Sequence, residues 1–198
     1  MSKMTNYLEE QLIMHEFRTG TYAKPTAQYI GLIRANKGKW ATGIVYSVND
    51  YVVPVASNGR LYKCTTGGTS GASEPTWGTT EGGTTADGTA VWTEQTLAIE
   101  AGTPPEVGSG IGYARINLAP ADANWSAPAG GNGATDNLAA IQFGTPTGDW
   151  DWIVGFFTAD AVSAGNIKLY GIMATPKRVV AGADAPKFDI GTLDIVYG

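Results

Sequence analysis

Trp152-Ile153-Val154-Gly155-Phe156-Phe157, inside the stretch from Trp150 to Thr158, is apolar nearly throughout. A strand with one wet face alternates apolar and polar side chains, whereas a strand covered on both faces has no wet positions to alternate with. The stretch therefore predicts a strand buried on both sides. Working outward, Ile167 to Ala174 and Phe188 to Tyr197 follow it. Gln28 to Ile33, Gly112 to Leu118 and Ala139 to Phe143 precede it. Punctuation such as Gly144-Thr145-Pro146-Thr147-Gly148 and Ala181-Gly182-Ala183-Asp184 separates them. Strands of this length and spacing predict a mainly β protein, a β-sandwich or jelly-roll-like domain.

One helix is expected, from about Tyr7 to Arg18. Asn6 and Glu9 have the spacing of a capping box with Asn6 as N-cap, and Gly20 is a stop signal. Leu8, Leu12, Ile13 and Phe17 fall on one apolar stripe at helical spacing.

Composition narrows the function classes. The 198 residues suit one domain, or a small one with a second inserted. The net charge of −5 argues against nucleic acid, which asks for a basic face. With 27 glycines and 10 prolines the chain turns often, while 43% apolar residues keep it out of the disordered class. Cys64 and His15 are the only cysteine and histidine, which excludes an internal disulfide and any multi-cysteine zinc site. No apolar run approaches the ~18 residues of a membrane span. The N-terminal stretch carries Glu9 and Glu10 where a signal peptide would be apolar, so synthesis in a cytoplasm is expected.

The middle of the chain has another texture. Residues 43–95 are rich in Thr, Gly and isolated aromatics, with turn signals at Asn49-Asp50, Asn58-Gly59 and Asp87-Gly88. Asn58-Gly59, between Val52-Val53-Pro54-Val55 and Leu61-Tyr62-Lys63-Cys64, is a hairpin signal. These residues are read as a small aromatic-rich β-module inserted into a main sandwich formed by residues 1–42 and 96–198, with Leu97 to Gly110 as the return linker.

No residue pattern carries catalysis, a metal or a cofactor. His15 reads as a helix-face side chain, and Cys64 as a small buried one on a strand. Gly108-Ser109-Gly110-Ile111-Gly112 lacks the lysine of a phosphate loop and precedes a strand instead of following one. Asp149 and Asp151 stand among tryptophans as a glycosidase pair might, but turn capping and strand-edge solvation account for them. In the insert, the flat rings of Tyr51, Tyr62, Trp77 and Trp92 suit either a small core or a sugar-stacking surface. Core is the expectation for Tyr51, Tyr62 and Trp92. Trp77, on the predicted loop Glu74 to Gly78, is the first candidate for a surface ring.

The insert's ordered motifs are Asn58-Gly59-Arg60-Leu61-Tyr62, Gly68-Thr69-Ser70-Gly71-Ala72-Ser73-Glu74-Pro75-Thr76-Trp77 and Asp87-Gly88-Thr89-Ala90-Val91-Trp92. Together they resemble a small module of tailed-phage structural proteins, similar in outline to chitin-binding-type carbohydrate-binding modules. On the flanks, Phe17-Arg18-Thr19-Gly20-Thr21-Tyr22, Tyr29-Ile30-Gly31-Leu32-Ile33, Gly112-Tyr113-Ala114-Arg115, Gly148-Asp149-Trp150 and Leu169-Tyr170-Gly171 follow in order. This series resembles small virion proteins of tailed bacteriophages, of the tail-fibre and capsid decoration (cement) kinds. The resemblance implies a structural, non-enzymatic virion protein made in the host cytoplasm, with no nucleic-acid or membrane partner. The first expectation from it is a decoration protein on the outer capsid, a homotrimer bound to the major capsid protein, with the insert projecting toward host surface glycan. The alternative is a tail-fibre or baseplate adhesin that binds bacterial surface polysaccharide.

Overall fold

A computed structural model describes residues 3–128 and 133–196. In chain order the elements are β1 (Lys3–Met4), α1 (Asn6–Phe17), β2 (Tyr29–Ala35), β3 (Val45–Tyr46), β4 (Tyr51–Val52), β5 (Tyr62–Thr66), β6 (Gly68–Thr69), β7 (Thr84–Asp87), β8 (Ala90–Glu94), α2 (Thr96–Glu100), β9 (Ile116–Asn117), β10 (Ala134–Thr135), β11 (Ile141–Gln142), β12 (Asp151–Ala159), β13 (Ile167–Val179), β14 (Lys187–Phe188) and β15 (Ile195–Val196). The protein is mainly β, as the strand pattern predicts.

The central sheet has the order β1-β13-β12-β2-β9, antiparallel throughout. Its middle strand, β12, contains the apolar run Trp152 to Phe157. Ile153 and Phe156 join a core with Ile141, Phe143, Trp150, Leu193 and Ile195, while Val154, Phe157 and Ala159 join a second with Val53, Leu61 and Ile99. An odd separation such as 153 to 156 places side chains on opposite faces of a regular strand. Here a register shift between Ile153 and Gly155 resets the phase. Gly31 pairs opposite Phe157, and a Cβ there would run into the Phe157 ring. The pairs β10–β15 and β11–β14 build the layer over the first core, which gives the sandwich-like arrangement.

Several strands are shorter than expected. Of Gly112 to Leu118 only Ile116–Asn117 pairs, because Gly110 and Gly112 both hold left-handed φ of 81° and 82°. The expected strand from Phe188 to Tyr197 divides into β14 and β15 around Gly191 at φ 70°. Its last residue, Tyr197, lies outside the described residues.

The helix is present, but its cap is not the expected one. Asn6 is the first helical residue, and Thr5, in extended conformation, precedes it. The Thr5 carbonyl accepts the Glu9 N–H at 3.1 Å, while its hydroxyl donates to the Ile167 carbonyl at 2.5 Å. The Asn6 N–H donates to Glu100 Oε2 at 2.7 Å. Of the two N–H groups that a local capping box would use, a tertiary partner thus takes that of Asn6 and the Thr5 carbonyl that of Glu9. The apolar stripe is also not a buried face. Leu8 is 4% exposed, but Ile13 is 54% and Phe17 83% exposed.

Residues from the 43–95 stretch form a four-stranded sheet, β4-β5-β8-β7, and the separate pair β3–β6. They enclose a third core of Tyr46, Val52, Tyr62, Cys64 and Trp92, joined by Trp40. The β4–β5 hairpin exists, with Gly59 at φ 73°, but pairing stops at Val52 and Tyr62. Beyond that point Val53 is drawn away: its N–H donates to Gly38 O at 2.8 Å and its carbonyl accepts the Trp40 N–H at 2.9 Å. The expected return linker begins with helical turns instead, and α2 places Ile99 in the core under the central sheet.

Candidate functional site

The strand alternation of β8 decides where its tryptophan goes. Ala90, Trp92 and Glu94 point inward, Val91 and Thr93 outward. Trp92 meets Tyr46 edge-on at 4.8 Å between ring centroids and Trp77 at 5.9 Å. Its indole N–H donates to Asp87 Oδ2 at 3.0 Å. The same oxygen accepts the Trp40 indole N–H at 2.7 Å, and Oδ1 accepts the Gly71 N–H at 2.7 Å. Asp87 is thus a buried three-donor hub as well as a turn residue, which the sequence reading did not anticipate.

Tyr62 is equally buried. Its hydroxyl donates to Gly78 O at 2.9 Å and accepts from Asn58 Nδ2 at 2.8 Å, and burial raises its pKa. Tyr62 and Trp92 are both 0% exposed, so no sugar reaches their ring faces, and as candidate glycan contacts they are corrected to core. Tyr51 is half-buried where the small sheet meets the central one, with Lys63 Nζ 5.9 Å from its ring centre. Trp77 is also half-buried. It tilts against Tyr62 at 4.3 Å, and its indole N–H donates to Glu74 Oε1 at 2.8 Å. That oxygen also accepts the Val55 N–H at 2.8 Å. The four rings therefore make no shared platform: two close a core, and Tyr51 and Trp77 each keep a partial surface.

The carboxylates near the tryptophans are engaged in ion pairs. Asp151, at φ 64°, pairs with Arg34 and stands 3.9 Å from Arg178, while Asp149 pairs with Arg178 at 3.2 Å and accepts the Ala181 N–H at 3.0 Å. His15 is exposed and accepts the Tyr22 N–H at 3.4 Å through Nδ1. Cys64 is fully buried, and burial pushes its thiol pKa up. Among the described residues no three His, Cys, Asp or Glu side chains are grouped to hold a metal ion.

The Gly112-Tyr113-Ala114-Arg115 motif has a structural role. Arg115 grips Glu106 with Nε and Nη2, both at 2.8 Å, and donates through Nη1 to the carbonyls of Ala161 and Ala164 at 2.9 and 2.7 Å. The guanidinium lies 4.8 Å over the Phe157 ring. Tyr113 donates to Glu106 Oε1 at 2.8 Å and accepts the Leu32 N–H at 2.9 Å. Through Arg115 and Tyr113, the Glu106 carboxylate is thus linked to the 161–164 loop and to β2.

The concave surface lies elsewhere, beneath α1 and the segment that follows it. One cleft of about 530 Å³ is lined by Lys24, Gln28, Trp125 and Leu169, among others. A second of about 380 Å³ shares Lys24 and adds Tyr7, Tyr22, Asp160 and Lys168. A third of about 430 Å³ shares Tyr22 and Lys168 with the second and Gln28 with the first. The shared walls make one branched groove. No sequence motif marks it, because its residues come from segments far apart in the chain: α1, residues 22–28, the loop 120–128, Asp160, β13 and β15.

Residues 90–196 match the family model described as podophage GP4 fiber I protein gp80. No curated protein matches the chain. The matched span takes in β8 to β15, and so both central strands β12 and β13 and the Glu106–Arg115 lock. It leaves out β3 to β7 of the aromatic-rich stretch.

Proposed function

This chain belongs to the podophage GP4 fiber I protein gp80 family, and from that premise we propose that it serves as a fibre component of the virion that binds saccharide at the bacterial surface. The protein is a structural protein of a phage virion. The observation that carries the fibre location is the family match itself, which covers more than half of the chain and includes the middle of its central sheet. It supports the tail-fibre alternative over the outer-capsid cementing role expected first.

Binding without catalysis fits the side chains. Asp149 and Asp151 face arginines, and the buried Asp87 and Glu94 hold structural donors. A fibre subunit works by repeated contact, so we also propose that the protein functions as a homo-oligomer, with three-fold symmetry as the expected form.

The test is location and loss. Antibody labelling of virions and copy number against the major capsid protein are expected to place a handful of copies on the tail. Phage lacking the protein are expected to lose adsorption while their heads keep their heat resistance. Copies near one per major capsid protein, with deletion heads that rupture early and adsorb normally, overturn the reading in favour of decoration.

A further inference from the structure

We propose that the groove beneath α1 is an anion subsite in which Lys168 receives the carboxylate of an acidic saccharide. The proposal deepens the saccharide-binding reading and rests on it.

Lys168 is 4% exposed. Among the described residues its Nζ and Thr158 Oγ1 are the two buried side-chain polar atoms recorded without a hydrogen-bond partner. Both stand at one irregularity of the central sheet. Thr158 pairs with Leu169 and Ala159 with Ile167, so Lys168 is the extra residue between two paired ones. A bulge of this kind re-aims the side chain it carries. Lys168 is a wall residue of two arms of the groove, with its Nζ buried behind that wall.

A buried ammonium without a partner is costly, and proteins normally pair it. The acid in this arm of the groove is Asp160, but it is already engaged. Its two oxygens accept the Asn166 N–H and Nδ2 at 2.8 and 2.9 Å. Burial accordingly lowers the pKa of Lys168, and Asp160 offsets this only in part. A ligand carboxylate supplies the missing counter-charge.

The surroundings favour a singly charged sugar acid. Lys24 lines the same arm, so two lysines and one aspartate leave a net charge of +1. A uronate carboxylate neutralises it, whereas a phosphate dianion overshoots and meets Asp160. Tyr7 and Tyr22 line the same arm, and aromatic residues in a groove wall suit the apolar face of a pyranose. The Nζ carries almost no exposed surface as it stands. Ligand entry is therefore coupled to a turn of its terminal torsions, which move between staggered wells.

The experiment is titration calorimetry of the full chain with a glucuronate disaccharide, a glucose disaccharide and inorganic phosphate. Glucuronate is expected to bind and the neutral sugar not. Lys168→Met, which relieves a buried charge and so melts no lower than the parent, is expected to weaken glucuronate binding at least tenfold. Lys187→Met, on β14 and in no wall of the groove, is expected to leave it unchanged. Silence toward glucuronate, equal binding of the neutral sugar, or full binding by Lys168→Met overturns the subsite. Phosphate binding tighter than glucuronate overturns the carboxylate assignment. A deletion phage that fails to adsorb, beside a protein that ignores glucuronate, sinks this inference and leaves the fibre reading standing.

Discussion

Trp92 hands its indole N–H to Asp87 at 3.0 Å, inside a core that buries both residues. The carboxylate sits at the end of β7, one residue before a glycine turn, and its Oδ2 serves Trp40 as well. A single acidic side chain therefore connects the Trp40 segment ahead of the small sheet, strand β8 and the loop at Gly71.

Asp87→Ala leaves two indole N–H groups and one backbone N–H buried without an acceptor. At about 1–3 kcal/mol for each unsatisfied buried group, partly relieved by water, the loss is expected to be about 3 kcal/mol. Asp87→Asn, which keeps one oxygen, is expected to lose less. Urea unfolding followed by tryptophan fluorescence measures both, and an Asp87→Ala loss under about 1 kcal/mol contradicts the hub.

The two tryptophans first weighed as sugar contacts separate by burial. Trp92→Ala removes a fully buried ring and its hydrogen bond, so about 4 kcal/mol is expected. Trp77 keeps a partial surface and leans on Tyr62 and Trp92, so Trp77→Ala is expected to lose about 1.5 kcal/mol by the packing it gives up. Equal losses at the two positions contradict this ordering.

Residues 152–157 and the aromatic spacing of 43–95 were legible because burial leaves a mark in the pattern: apolar on both faces in one, large rings among small polar residues in the other. The cap of α1 was not legible. Asn6 and Glu9 satisfy the local rule, but Glu100, distant in sequence, accepts the Asn6 N–H, and the Thr5 carbonyl accepts the Glu9 N–H. The apolar residues of α1 likewise have helical spacing, yet the helix turns only Leu8 into the core. The groove was hidden for the same reason. Lys168 is the one charged residue in the apolar stretch from Ile167 to Ala174, and the bulge that re-aims it is a property of two strands together.

Alkaline pH tests the buried tyrosines. Burial pushes Tyr170 up to about 12, and Tyr113 rises further still. An unfolded tyrosine ionises near ~10, so the unfolded chain releases protons that the folded one retains. The stability these phenols confer is fully present below pH ~10 and is lost as pH climbs toward the folded values. Lys168 acts with the opposite slope at lower pH, since its folded pKa is depressed: stability rises with pH up to the unfolded lysine value of ~10.4. Melting temperature against pH is thus expected to fall steeply above pH ~10, less so in Tyr170→Phe, and Lys168→Met is expected to remove the rise that precedes the fall. Identical profiles for parent and variants contradict these assignments.

The Glu106–Arg115 pair offers the sharpest distinction between a motif kept for binding and one kept for folding. Arg115 has a side chain 5% exposed, and four of its five N–H donors go to a carboxylate and two carbonyls while its plane covers an aromatic face, so burial and these partners leave it little to offer a ligand. Removing its partner strands a buried charge, which costs about 3–5 kcal/mol in buried pairs. The Glu106 side chain is 25% exposed, so water softens that, and Glu106→Ala is expected at the lower end, about 3 kcal/mol. Glu106→Gln keeps the oxygen that Tyr113 and Arg115 Nε share and is expected to lose about half as much. A double-mutant cycle with Arg115→Met isolates the pair: coupling of about 2 kcal/mol is expected, because both sides touch the same carboxylate. A cycle that closes with no coupling, while glycan binding falls in the single variants, moves this motif from the scaffold to the binding surface.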